Sequence, residues 1–334
     1  MYLLQVDGIG MVTALGLNRR ATSAAFRAGL DNFQESHFID GNGEDLLVAE
    51  IPLEKPWRGK MKMQKMASMV MLEAIEDAKV EIENDITVLV CLPEKENGLS
   101  LDEQQFYEDL QEESGLTFSE SSGIIRKGKA GCVSAIQYAQ ELVYKQQEQM
   151  VMLVATDTLL TAKLVNKFTE KRWLLTRTTS NGFIPSEAAV CMIFTRGTDE
   201  SVFSIMGSGK ADEPYTDGDE APFLAEGMTK AVRQTLSSTK QDLANIKLWF
   251  SHNASSFLTA KESTLAELKL LRGEGVRYQR HALTAYFGEV GAAAGLIMLA
   301  LSKDLLPLGG INLVTMANFG SRRAAIMSKV QNHG

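Results

Sequence analysis

Apolar runs recur along the chain, each closed by glycine or polar residues: "YLLQVDGIGMV", "ITVLVCL", "GIIRKG", "MVMLVATD" and "AAVCMIF", then "VFSIMG", "IKLWFSH", "INLVTMA" and "AAIMSKV". Runs of this length and composition predict strands. Between them, apolar positions repeat at helical spacing, most clearly in 132–146, where Val133, Ile136, Ala139 and Val143 share one face. Further helices are predicted over residues 61–79, 224–237, 258–271 and 289–302. Strand and helix alternation of this kind predicts an α/β protein built on a buried sheet.

Charge is uneven along that frame. Residues 94–120 carry nine carboxylates against one lysine, Lys95, and read as a solvated helical excursion. Just before it, "KPWRGKMKMQK" holds Lys55, Arg58, Lys60, Lys62 and Lys65, the one strongly basic stretch. The net charge of −8 over 334 residues argues against a general nucleic-acid binder, so an anionic partner needs a local basic patch. The first residues lack the basic and apolar regions of a signal peptide, and no apolar stretch is long enough to span a membrane. Cys91, Cys132 and Cys191 are widely spaced and lack the paired arrangement of structural zinc sites. Reduced thiols, a cytoplasmic location, and no metal or cofactor are therefore expected.

Several motifs have a plain structural reading. "GSGK" at 207–210 lacks the remaining residues of a phosphate loop, and the acidic loop 212–220, with Asp212, Asp217 and Asp219, lacks the spacing of a calcium loop. The methionines 61, 63, 66, 69 and 71 read as core before they read as a soft binding surface, and "GAAAG" at 291–295 reads as close helix packing. Of His37, His252, His281 and His333, His252 stands out because it follows the strand "IKLWF", at the strand end where open α/β sheets place ligands.

In order along the chain, four segments resemble the β-ketoacyl synthases of the thiolase superfamily. "VDGIGMVTALGLNRRATSAAFRAGLDNF" is similar to that family's opening strand, G-x-G-x-V-(T/S)-x-x-G turn and first helix; "SNGFIPSEAAVCMIFT" is similar to its D-G-F-V-x-G-E-G-A-G-x-x-V-L strand. "SHNASSFLTAKESTLAEL" resembles its histidine segment and "VTMANFGSRRAAIM" its closing glycine-rich loop. The resemblance implies a thiolase-like fold: two similar β-α-β-α-β-α-β-β halves, here 1–200 and 201–334, in a layered α/β/α/β/α arrangement, usually as a dimer. It also implies decarboxylative condensation, with an elbow cysteine, two histidines and an oxyanion hole of backbone amides.

The chain departs from that pattern where the chemistry lies. In "IIRKGKAGCVSAIQYAQELV" an ungapped count puts Lys129 at the nucleophile position, with Cys132 three residues on, at a small inward position or as a displaced thiol. The second histidine position holds Tyr286, Gly288 or Glu289 according to register, and the lysine before it becomes His281 or Leu283. Of the family's triad only His252 remains. Lys129 as an amine base is weighed against a lysine that reaches solvent or plugs an emptied pocket, and the latter is preferred. The expected protein is a non-catalytic homologue that binds an active ketosynthase as a chain-length-factor-like subunit, or pairs with itself. The basic residues 55–65 are its candidate dock for an acyl carrier protein; the methionine-rich helix and the 94–120 excursion are candidate contact surfaces. An adaptor without acyl chemistry and an acyltransferase using Cys132 are the alternatives.

Overall fold

A computed structural model describes residues 2–82, 84–215, 222–252, 257–271 and 275–331. The first part of the chain forms strands β1 (Leu4–Thr13), β2 (Gln34–Ile39), β3 (Asp45–Val48), β4 (Thr87–Leu92), β5 (Gly123–Arg126), β6 (Val151–Thr158) and β7 (Glu187–Arg196). Its helices are α1 (Arg19–Arg27), α2 (Gly59–Ala78), α3 (Glu103–Ser114), α4 (Gly131–Lys145) and α5 (Ala162–Glu170). The second part forms β8 (Phe203–Asp212), β9 (Ile246–Ser251), β10 (Gln279–Ala282), β11 (Ile311–Ala317) and β12 (Arg322–Val330), with α6 (Glu226–Thr239), α7 (Phe257–Leu271), α8 (Thr284–Phe287) and α9 (Ala294–Leu305).

The strands repeat one pattern twice. One half of the sheet runs β1-β7-β6-β4-β5 and the other β8-β12-β11-β9-β10. In each, the first two pairings are antiparallel and the last two parallel. A short pairing of Leu4 and Gln5 with Ile205 and Ser204 joins the halves. β2 and β3 form a separate ribbon.

Burial fixes the layers. α4 and α9 lie in one core with side chains from both halves, including Ile9, Leu153, Phe250 and Ile326. α2 and α3 cover the other face of the first half, around Val88, Val154 and Ile193; α6 covers the second, around Trp249, Leu313 and Met327. The result is the five-layered α/β/α/β/α arrangement. α9 needs no amphipathic stripe, because Ala294 through Ser302 are all buried.

Three local expectations change. The G-x-G of "VDGIGMV" lies within β1 instead of a turn: a Cβ on Gly10 would sit 2.0 Å from the Val70 carbonyl oxygen, and one on Gly8 2.1 Å from that of Ala74, so both glycines let α2 cross the strand. "GSGK" repeats the device in β8, where a Cβ on Gly209 would sit 2.2 Å from the Ala231 oxygen of α6. Within 94–120 only Glu103–Ser114 is α-helical, started by the Asp102 side chain and stopped by Gly115. The helix predicted over 289–302 begins at Ala294, because Gly288 and Gly291 take positive φ and turn the chain ahead of it.

Met63, Met66 and Met71 are fully buried, so most of the methionine stripe is core and offers no contact surface; Met61 is exposed. Asp217, Asp219 and His333 lie outside the described residues. Among the described residues no helix is long and apolar enough to cross a membrane.

Candidate functional site

The amino-terminal ends of the two central helices meet, and the C-terminal ends of β4, β6, β9 and β11 surround them. A single 3-10 turn, Gly128–Ala130, leads into α4 and carries Lys129; a second, Gly291–Ala293, leads into α9 just after Glu289. The Lys129 ammonium donates to Glu289 Oε2 at 2.9 Å, with both side chains buried. Its other side faces Phe319, whose ring centroid is 3.8 Å from Nζ. Phe319 in turn stacks on Trp173.

His252 sits directly after β9, its backbone N–H donating to Thr315 O in β11. Its Nε2 lies 3.3 Å from Glu289 Oε1 but outside hydrogen-bond alignment, and Nδ1 has no partner among the described residues. Burial pushes the imidazole below its ordinary value, with Glu289 pulling the other way. Burial also opposes ionisation of Glu289, but the adjoining imidazole and the Lys129 ammonium overcome it and hold the carboxyl well below the usual range. The Gly291 N–H adds a hydrogen bond to Oε1 at 2.8 Å. The centre of the site is therefore a closed ion pair beside the buried His252 imidazole.

Of the three residues open for the second histidine position, Glu289 is the one whose side chain enters. Gly288 has none, and Tyr286 packs edge-on against Phe26. His281 and Leu283 are also turned away: the His281 ring contacts Phe26 and Phe250, and Leu283 lies in the central core.

Cys132 does not face this space. Its Sγ donates to Lys129 O at 3.2 Å and lies 3.5 Å from Met316 Sδ, and a Cβ on Gly295 would come within 2.4 Å of it. Burial pushes the thiol up to about 12, so at neutral pH it carries almost no thiolate. The sulfur is sealed between the two central helices.

Asp157, Asn318 and Glu94 complete the site, and sequence reasoning missed all three. Asp157, at the end of β6, accepts from the Ala292 N–H at 2.8 Å, while its Oδ1 has no partner among the described residues. Burial raises its carboxyl to about 7, with the Glu289 charge acting the same way. Asn318 pins the elbow: its Oδ1 accepts from Ala130 N, and its Nδ2 donates to Lys127 O and Glu94 Oε2. The available signal was polar residues at the ends of parallel strands: "VATD" stops on Asp157 and "VTMAN" on Asn318. Between Lys129, Asp157, Asn318 and Phe319 about 20 Å³ remains, room for one water molecule and too little for an acyl chain.

The basic stretch lies apart and is neutralised within the protein. Arg58 pairs with Glu50 at 2.5 Å, Lys60 with Asp109 at 2.6 Å and Lys65 with Glu113 at 2.5 Å. Lys62 is buried against Glu187 and donates to Ile51 O, so it cannot touch a partner. Lys55 is exposed, near the Trp57 ring, and among the described residues has no carboxylate within ion-pair distance. The acidic helix α3 supplies two of these carboxylates, and the 94–120 excursion thus answers the charge of α2.

The chain has the thiolase-like fold of the β-ketoacyl synthases. It superposes with a TM-score of 0.80 on the ketosynthase complex of a type II polyketide synthase with its acyl-carrier protein, at 13% identity over 99% of this chain and 100% of that one. The ishigamide ketosynthase/chain length factor gives 0.80 at 12% identity, with both chains fully covered. A ketosynthase in complex with its chain length factor from Xenorhabdus doucetiae gives 0.71 at 14% identity over 98% of each chain. No protein-family profile and no curated protein sequence matches.

Proposed function

We propose that this chain is a catalytically silent ketosynthase homologue that works by binding, as the chain-length-factor-like partner of an active ketosynthase in fatty-acid, polyketide or aryl-polyene-type synthesis. The observation that carries this reading is the Lys129–Glu289 ion pair, closed at 2.9 Å beside His252. A buried ammonium held by a carboxylate and an aromatic face is no nucleophile, because its lone pair carries a proton. The remaining space of about 20 Å³ admits no acyl chain. Ketosynthase and chain length factor pairs among the similar structures support the pairing. The outer side of β5 also supports it: among the described residues this strand pairs with β4 alone, and its Ile124 and Ile125 are half-buried.

Co-expression with ketosynthases encoded near this chain tests the reading. An equimolar complex that survives size-exclusion chromatography and native mass spectrometry is expected, with acyl groups on the ketosynthase thiol and none on Cys132. A chain that stays apart from every such ketosynthase defeats the proposal and leaves the adaptor reading.

A further inference from the structure

A groove of about 910 Å³ lies apart from the buried ion pair, on the outer face between α6 and α7. Positions 226, 230, 233 and 237 fall on one stripe of α6 at helical spacing, so Lys230, Arg233 and Ser237 line one wall with Glu226 at its end. Lys269 of α7 lines the opposite wall, and Gln234 and Ser238 add polar groups. Arg233 and Lys269 also border a second hollow of about 220 Å³ that continues past Leu236 to Asp242. Lys230 and Arg233 are exposed and Lys269 is half-buried.

The three cations are unanswered. Among the described residues none of them has a carboxylate within ion-pair distance, whereas Arg58, Lys60, Lys62 and Lys65 each have one. The nearest acidic residue in sequence on α7, Glu267, is engaged by Arg280. In a chain of net charge −8, three cations without ion-pair partners against the one carboxylate of Glu226 give the groove a local positive charge, opposite in sign to that of the whole molecule.

We infer that this groove docks an acidic polypeptide segment of a partner protein. Charge complementarity selects the sign, and the cations three residues apart on α6 suit carboxylates spaced along a chain. Nucleic acid fits less well: a continuous phosphate backbone needs more cations than three and is repelled by the rest of the surface. The inference stands apart from the proposed pairing with a ketosynthase, since it concerns a different face of the molecule.

Fluorescence anisotropy of a labelled oligoglutamate peptide with the full chain tests it at low ionic strength. Saturable binding that fades as salt shortens the screening length is expected. Exposed ion pairs are each worth a few-fold at most, so the combined Lys230→Glu, Arg233→Glu, Lys269→Glu variant should bind about tenfold more weakly. A control of equal charge change, Arg20→Glu, Arg27→Glu, Lys163→Glu, should keep most of the affinity. The three glutamine replacements in the groove serve as a gentler second variant, and a thermal melt checks that each folds. Equal losses in groove and control variants, no saturable binding by the unaltered chain, or tighter binding of a single-stranded RNA oligomer would overturn the inference.

Discussion

Lys129 and Glu289 are each unfavourable to bury alone and acceptable together. Replacing Lys129 by Met leaves the Glu289 carboxylate without its cation in a site closed to solvent, so the variant should lose about 3–5 kcal/mol in urea unfolding. Glu289→Gln should lose a similar amount, and the double variant should recover most of it, because neither charge is then stranded. A loss below about 1 kcal/mol in both single variants, the scale of an exposed pair, would mean that the ion pair does not hold the site. Counting along the elbow placed Lys129 at the nucleophile position, but counting left three residues open opposite it. Glu289 enters because positive φ at Gly288 and Gly291 turns the chain there, and backbone conformation cannot be counted from letters.

At the scale of elements, glycines decide how closely helix and strand approach. Gly8 and Gly10 of β1 and Gly209 of β8 admit α2 and α6 to equivalent faces of the two halves, so motifs that suggest a turn or a phosphate loop are packing surfaces. Gly295 does the same between the central helices. Gly295→Ala places a Cβ 2.4 Å from Cys132 Sγ and 2.6 Å from Met316 Sδ, and should lower stability by about 1–3 kcal/mol. Cys132→Ala should relieve a substantial part of that loss, seen as favourable coupling in a double-mutant cycle of thermal melts. Purely additive losses would show that the sulfur does not abut this glycine. The inward thiol was legible as an alternative in the sequence; its sealing was not, since it depends on where α9 crosses α4.

For the whole molecule, the shared central core matters more than the topological repeat. Val133, Ile136 and Ala139 of α4 and Leu296, Ile297 and Ala300 of α9 belong to one cluster fed by strands of both halves. A fragment of residues 1–200 keeps its own sheet but loses α9 and the facing strands. It should therefore show helical far-ultraviolet dichroism without cooperative unfolding, and bind a hydrophobic dye. A fragment that melts cooperatively by itself would instead make the halves independent domains.

Most of the strand and helix alternation was legible in the sequence, because apolar runs and helical periodicity are local records of burial; β2, β3 and β10 were not, and the layered class came from the resemblance of four segments to the β-ketoacyl synthases. The position of Lys129 at the elbow was legible through that same resemblance, from an ungapped count against the family's pattern. Which charges meet was decided only by tertiary structure. Lys129 and Glu289 are 160 residues apart, Asn318 reaches the elbow across 188, and the groove cations gather from two helices, so each juxtaposition depends on how the layers pack. The basic stretch 55–65 carries the same lesson in reverse: its charge was plain in the sequence, but α3 and Glu187 neutralise most of it once the helices are in place.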